Sequence, residues 1–391
     1  MSGWRNYGLG YVAAFAGLAL VLVAGSAWIP QVTAQVGAAI PPDRVVAQLQ
    51  VAGGAYPQAL RTAMADQRAA PGDLARAQAA ARALIDEGRD RGDSRLVGAA
   101  VGVLRPFLTD PTAETLYLAA TARQYQHDFV GALALLDQAL ALSPGDINTR
   151  LSRATILTVR GDYPAARADC ASITALQRAD VGFLCQATTE ILTANGPGYT
   201  TRLQAILGQP GLLAPELRGW AMGLIGEVAL HQGDTALAKA QFQAVLADNP
   251  RAQREELLLA DILLQDGDPQ AVLDLLAKAP DTDGVLIRRL LALRTLGDPT
   301  AAGLSDTLAK RIALNLDLGL TAHAREEAMY FLTIADDPAQ ALARASVNWA
   351  LQHEVEDALL LLQAAKAAGQ PQADQPVRDW MAQNGVLPRV R

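Results

Sequence analysis

Apolar residues recur three and four positions apart through most of this chain, and short polar breaks interrupt that rhythm at a nearly fixed interval. From Asp73 onward, Leu74, Ala77, Ala81, Leu84 and Ile85 hold one helical face; the run stops at Gly92-Asp93, and a second follows through Leu96 to Leu104. The same kind of break returns at His127-Asp128, Gly161-Asp162, Asn195-Gly196, Gly233-Asp234, Gly267-Asp268 and Gly297-Asp298, in steps of 35, 34, 34, 38, 34 and 30 residues. That period, with helix-like periodicity on both sides of each break, predicts a repeated helix hairpin. One such hairpin cannot bury its apolar face alone, so the pattern predicts tandem stacking into an all-α solenoid with a continuous concave surface.

The second helices share a register. Ala132, Leu136, Ala139 and Pro144 fill the same slots as Ala166, Cys170 and Ile173, as Ala238, Phe242, Val245 and Pro250, and as Val272, Leu276 and Ala279. The first slot advances from 132 to 166 to 238 to 272, leaving room for one slightly extended repeat over 181 to 216. This spacing resembles the tetratricopeptide repeat family, whose second helix carries a small residue, a bulky apolar one four later and a small or apolar one three after that. The small residue sits where two antiparallel helices cross closely; Pro144 and Pro250 end their helices because proline lacks an amide donor. The first helices match only piecemeal, as at Ile225-Gly226. The resemblance implies a right-handed α-solenoid of antiparallel hairpins that binds another protein or peptide.

On this reading residues 71–368 form the array, with the best repeats at 113–146, 147–180, 219–252 and 253–282. A short hairpin over 42–70 precedes it. A final pair carries Ala358, Leu362 and Ala365, and residues 369–391 are expected to cap the end with Trp380 and Met381. Before the array, residues 7–29 carry no charge over 23 positions, between Trp4, Tyr7 and Tyr11 on one side and Trp28 on the other. That is long enough to span a bilayer. The segment reads as a single transmembrane anchor with a short cytoplasmic tail at 1–6 and a tether at 30–41, placing the array in the periplasm at the inner membrane. The alternative is a signal peptide cleaved after Ala27 or Ala34, which would release a soluble array.

Composition supports the class and narrows the function. Hydrophobic residues make up 51% of the chain and aromatics only 5%, suiting close-packed helices. A formal charge of -7, with no basic stripe, argues against nucleic-acid partners. No phosphate loop, dinucleotide fingerprint, nucleophile elbow or paired-histidine motif occurs beyond residue 29, so no catalytic residue, metal or cofactor is expected. The competing enzyme reading, an envelope hydrolase on a helical solenoid, requires an appended compact domain that the chain has no room for.

Local chemistry is sparse. Cys170 and Cys185 fall on neighbouring helices of successive repeats, so they form either a disulfide, if the array is exported, or two buried thiols. His127 and His231 fall at hairpin ends, where a capping cation is favoured. The pairs Glu255-Glu256, Glu326-Glu327 and Asp336-Asp337, and the run His353-Glu354-Val355-Glu356-Asp357, read as solvated charge at helix termini. The expected concave face carries Tyr117, Thr121, Gln124 and Tyr125 in one repeat, Trp220, Glu227 and His231 in another, and Arg254, Asp261 and Gln265 in the next. Tyr, Trp and Arg are the common anchors of recognition surfaces.

Overall fold

A computed structural model of the protein describes residues 56–387. The candidate span 7–29, the tether, the first part of the 42–70 hairpin and the last four residues lie outside the described region. Among the described residues there are nineteen α-helices and no β-strand. After α1 (Gln58–Ala69) the helices run as antiparallel pairs: α2 (Leu74–Arg91) with α3 (Ser94–Leu104), α4 (Ala113–Tyr125) with α5 (Phe129–Leu142), and α6 (Ile147–Val159) with α7 (Tyr163–Ala175). Next come α8 (Ala179–Glu190) with α9 (Gly196–Leu207), α10 (Pro215–Gln232) with α11 (Thr235–Asp248), and α12 (Gln253–Gln265) with α13 (Pro269–Leu275). The last are α14 (Asp283–Leu296) with α15 (Ala301–Asp317), α16 (Ala324–Thr333) with α17 (Pro338–Leu351), and α18 (Val355–Ala367), which packs on α17 and leads to α19 (Gln375–Asn384). Among the described residues no helix is long and apolar enough to cross a membrane.

The recurring Gly-Asp break has a simple cause. Gly92, Gly161, Gly233, Gly267 and Gly297 take φ of 63°, 76°, 83°, 74° and 68°, the left-handed conformation that ends a helix and that glycine adopts without a Cβ penalty. The aspartate that follows caps the next helix: Asp93, Asp162, Asp234 and Asp268 each accept a backbone N–H of the first turn. His127 does the glycine's work at φ 59° with a side chain in place. Asn195-Gly196 departs from the scheme. Asn195 is right-handed at φ -81°, and its side chain donates to Glu190, as does the hydroxyl of Thr193.

The register residues pack as their sizes require. Ala132, Ala166 and Ala238 are fully buried, with Leu136, Cys170 and Phe242 behind them. Gly226 on α10 is a close-approach site: a Cβ there would lie 2.5 Å from the Phe242 ring. In the final pair the register shifts by one residue from the expected Leu362, because Leu361 is the buried side chain and Leu362 is only partly covered. Two of the three carboxylate pairs differ from expectation, while Asp336-Asp337 stays at the surface by a helix start. Adjacent residues point about 100° apart on a helix, so one member of a pair can turn inward. Glu256 and Glu327 do so, Glu327 completely, with Arg344 beside it at 2.5 Å. Burial pushes both carboxyls above the usual range, against the pull of Arg289 on Glu256 and of Arg344 on Glu327.

The array does not remain an open spiral. The α17–α18 connection and α19 fold back onto repeats roughly two hundred residues earlier. His353 N–H donates to the Val159 carbonyl at 2.6 Å. Trp380 is buried edge-on to Tyr163 at 5.8 Å and to Trp349 at 5.4 Å. It lies over Gly161, where an added Cβ would meet its Nε1 at 2.5 Å. Beyond α19, Val386 bridges Thr193 in antiparallel fashion, and Leu387 N–H donates to the Leu192 carbonyl at 3.0 Å. At the end of the stack Trp380 and Met381 pack with Trp349, Ala358 and Leu361 of the last pair, and Trp380 also joins that end to the α6–α7 turn. A parallel contact joins the first full repeat to later ones, with Asp90 paired to Arg251 and Gly92 against Thr282.

Candidate functional site

The closure leaves a cavity of about 280 Å³ on the inner face of α6, α8, α10 and α12. Leu151, Val159, Leu192, Trp220 and Leu224 give it an apolar floor. The segment His353–Glu356 forms the opposite wall. Thr155, Thr158 and Thr188 also line it, each donating its hydroxyl hydrogen to a carbonyl one turn earlier on its own helix, at 2.8 to 3.0 Å. Trp220 Nε1–H donates to Thr188 Oγ1 at 3.2 Å, which fixes the indole.

A guanidinium clasps the two sides. Arg254 on α12 pairs with Glu227 on α10 through two hydrogen bonds of 2.9 and 3.2 Å, then reaches Glu354 at 3.3 Å and Glu356 at 3.4 Å. Arg325 on α16 binds Glu354 from the other side and holds the buried Asp357 at 2.6 and 2.9 Å. Asp357 in turn accepts Glu354 N–H at 2.9 Å and Asn348 Nδ2–H at 2.6 Å, closing a capping box at the start of α18. Burial disfavours the ionised form of Glu354, yet Arg325 and Arg254 outweigh it and hold the carboxyl well below its ordinary value. Asp357 shifts upward through burial and the nearby Glu354 charge, despite Arg325. A second ladder of the same kind, Asp261 to Arg288 at 2.6 and 2.7 Å, links α12 to α14.

The sequence-selected residues therefore separate into groups. Trp220, Glu227 and Arg254 meet in the cavity wall. His231 is buried nearby, with Nε2 2.7 Å from the Leu387 carbonyl; a carbonyl only accepts, so Nε2 carries the hydrogen. It secures the returning chain. Asp261 is engaged by Arg288, and Gln265 is exposed at the end of α12. Tyr117, Thr121, Gln124 and Tyr125 stay with the amino-terminal repeats. Tyr117 is half-buried in their core, Thr121 donates to its carbonyl at 2.9 Å, Gln124 is half-buried, and Tyr125 Oη donates to the Gly88 carbonyl at 3.3 Å. His127 is no capping cation: desolvation first, then the charges of Arg325 and His323, lower its pKa and favour the neutral ring.

Glu255 and the run His353–Asp357, expected as solvated charge at helix termini, instead turn into the cavity wall and the buried pair behind it, and Leu192 carried no signal in the sequence. Nothing in a 34-residue period points to contacts a hundred residues away. Cys170 and Cys185 are joined by a disulfide with Cα atoms 5.4 Å apart, and Cys185 lines the cavity, so the bridge ties α7 to α8 directly behind it. Among the described residues no group of His, Cys, Asp or Glu is arranged to hold a metal ion.

Stacked antiparallel hairpins with a shared inner face define an α-solenoid. Its hairpins are tetratricopeptide-like, as shown by the 34-residue advance from Ala132 to Ala166 and by the burial of the register positions. No protein-family model matches the chain, and no curated protein matches it. Among solved structures it is similar to a Rap protein complexed with competence and sporulation factor, at 13% identity over 83% of this chain and 93% of that one, with a TM-score of 0.44. It is also similar to a tetratricopeptide repeat protein from Parabacteroides merdae ATCC 43184, at 14% identity over 68% and 99% of the two chains and a TM-score of 0.38. A third is the APC/C hetero-tetramer Cut9-Hcn1, at 15% identity and a TM-score of 0.36; the match covers 78% of this chain and about half, 52%, of that one.

Proposed function

We propose that the protein is a membrane-anchored scaffold whose array faces the periplasm and holds a segment of a partner protein in the concave cavity, by binding alone. The observation that carries this reading is the cavity itself. Four successive inner helices and a returning wall enclose space that the chain leaves unfilled, with an apolar floor and charged rim of the kind that binds ligands. The uncharged run at 7–29 supports the anchor, and the disulfide is compatible with an oxidising compartment.

The test places a photo-crosslinking amino acid at Thr155, exposed in the cavity wall, and separately at Val130, 68% exposed on α5, in the full chain in cells. A discrete adduct from position 155 that is absent from 130 supports cavity docking. Equal adducts from both sites, or none, would sink it. Fractionation of the same cells reads the anchor: full mass in the membrane supports it, whereas a soluble form cut after Ala27 or Ala34 favours a released array.

A further inference from the structure

The chemistry of the cavity wall restricts what enters it. Four carboxylates line it, those of Glu227, Glu255, Glu354 and Glu356, against one guanidinium, Arg254. Arg254 is already committed to three of them. Glu255 has no ion-pair partner among the described residues. Its carboxylate lies over the bare backbone of Gly223, where an added Cβ would be 2.8 Å from Oε1.

The hydrogen-bond inventory points the same way. The three threonine hydroxyls spend their hydrogens within their helices and leave lone pairs, and the indole N–H and the Arg254 donors are engaged. The Tyr163 hydroxyl can donate or accept, and the neutral His353 ring offers one donor and one acceptor. Acceptors and negative charge thus predominate in the wall, over an apolar floor. About 280 Å³ accommodates one or two side chains of an extended segment and excludes a folded surface.

We infer that the cavity receives a basic side chain, lysine or arginine, from an extended segment of the partner, its aliphatic stem against Trp220 and Leu224 and its head on Glu255. This rests on the partner-binding reading above and names the chemistry of what docks. An acidic side chain is disfavoured, because Arg254, the one guanidinium in the wall among the described residues, already has three carboxylates around it.

The probes are n-butylammonium and n-butylguanidinium, with n-butanol and butyrate as neutral and anionic controls, titrated into the full chain. The readout is the indole N–H resonance of Trp220, assigned by its loss in Trp220→Phe. Both cations are expected to shift the resonance saturably, with roughly fivefold or greater preference over butanol, the scale of one partly buried ion pair. Glu255→Gln is expected to erase that preference. Gly223→Ala, which keeps the charge but displaces the carboxylate, is expected to do the same. Unchanged indole signals of Trp349 and Trp380 would show that each variant stays folded. Butanol binding as well as the cations, preference for butyrate, no saturable shift, or full cation affinity in Glu255→Gln would each overturn the inference. A site-155 adduct alongside such a failure would leave partner docking standing and remove only the basic side chain.

Discussion

The contact between Trp380 and Gly161 decides whether the two ends of the array are joined, and it can be measured by a double-mutant cycle. Trp380 is 8% exposed, so about nine-tenths of an indole that buries on the order of 200 Å² is removed from water. At about 25 cal/mol per Å² that burial contributes roughly 4 kcal/mol, within the about 3–5 kcal/mol found for buried Trp→Ala changes. Gly161→Ala acts in two ways. It places a Cβ at φ 76°, a local strain of about 1 kcal/mol, and it drives that Cβ to 2.5 Å from Trp380 Nε1, an overpacking of about 1–3 kcal/mol. Only the second part needs the indole.

Gly161→Ala should therefore destabilise the wild type by about 2–4 kcal/mol but a Trp380→Ala background by only about 1 kcal/mol, a coupling of roughly 1–3 kcal/mol across 219 residues of sequence. Equilibrium urea unfolding of the four proteins, followed by circular dichroism and tryptophan fluorescence to test two-state behaviour, gives the values. Additivity within about 0.5 kcal/mol would refute the docking of α19 on the α6–α7 turn.

Three further outcomes follow from the same geometry. Arg325→Met leaves Asp357 buried without its counter-ion and should cost about 3–5 kcal/mol, whereas Arg254→Met, at a side chain 39% exposed, should cost under about 1 kcal/mol; thermal unfolding separates them. Reducing the Cys170–Cys185 bridge, which closes a separation of 15 residues, should cost about 3 kcal/mol, and a midpoint unchanged by a reductant would contradict that estimate. Burial lowers the pKa of His127 and of His353 in the folded chain, so the unfolded chain binds more protons on these rings, and the stability they leave is lost as pH falls below about 6.5. Glu354 has its folded value lowered to about 2, so its contribution stays intact down to about pH 4.5 and fades only below that. The upward-shifted carboxyls of Glu256, Glu327 and Asp357 act in the opposite sense over the same window, so the histidine contribution is read as a difference: between pH 7 and 5 the unfolding midpoint of wild type should drop relative to that of a His127→Gln/His353→Gln variant.

How much of this was legible in the sequence depends on the range of the interaction. Hairpin positions were legible because they are set locally: Gly92 and Gly161 must turn left-handed, Asp93 and Asp162 must cap, and Ala132 or Ala166 must be small where helices cross. These constraints act within one repeat and recur with its period. The carboxylate pairs misled because residue type says nothing of which neighbour turns inward, and Glu327 needed Arg344, from the next helix, to be tolerable in the core. The cavity was half legible. Trp220, Glu227 and Arg254 follow from the repeat register, but its far wall comes from 353–356, whose only local signature, acidic residues before a helix, also fits a plain capping box. Asn195-Gly196 was a clue of another kind: the break whose first residue is right-handed stands next to Thr193, where the returning chain docks.

The closure changes how the array can work. An open solenoid presents its whole inner face and binds by area, with each repeat adding contacts. Here Trp380, His353 and Leu387 already occupy part of that face, so a partner meets a bounded cavity with a rim of fixed charge. The two sides of the rim differ in strength. Arg325 is sequestered with a fully buried aspartate and resists separation, while Arg254 spans from the middle repeats to Glu354 and Glu356 through longer, partly exposed contacts. If the clasp opens anywhere, it opens at Arg254, the weaker link. A basic group arriving at Glu255 would compete with Arg254 for Glu227 and the 354–356 carboxylates, so binding there favours the looser arrangement only as far as it contacts the two states differently. Occupancy of the cavity and separation of its walls are thus linked through one arginine, and removing that side chain should change the affinity for a cation by more than it changes the stability of the fold.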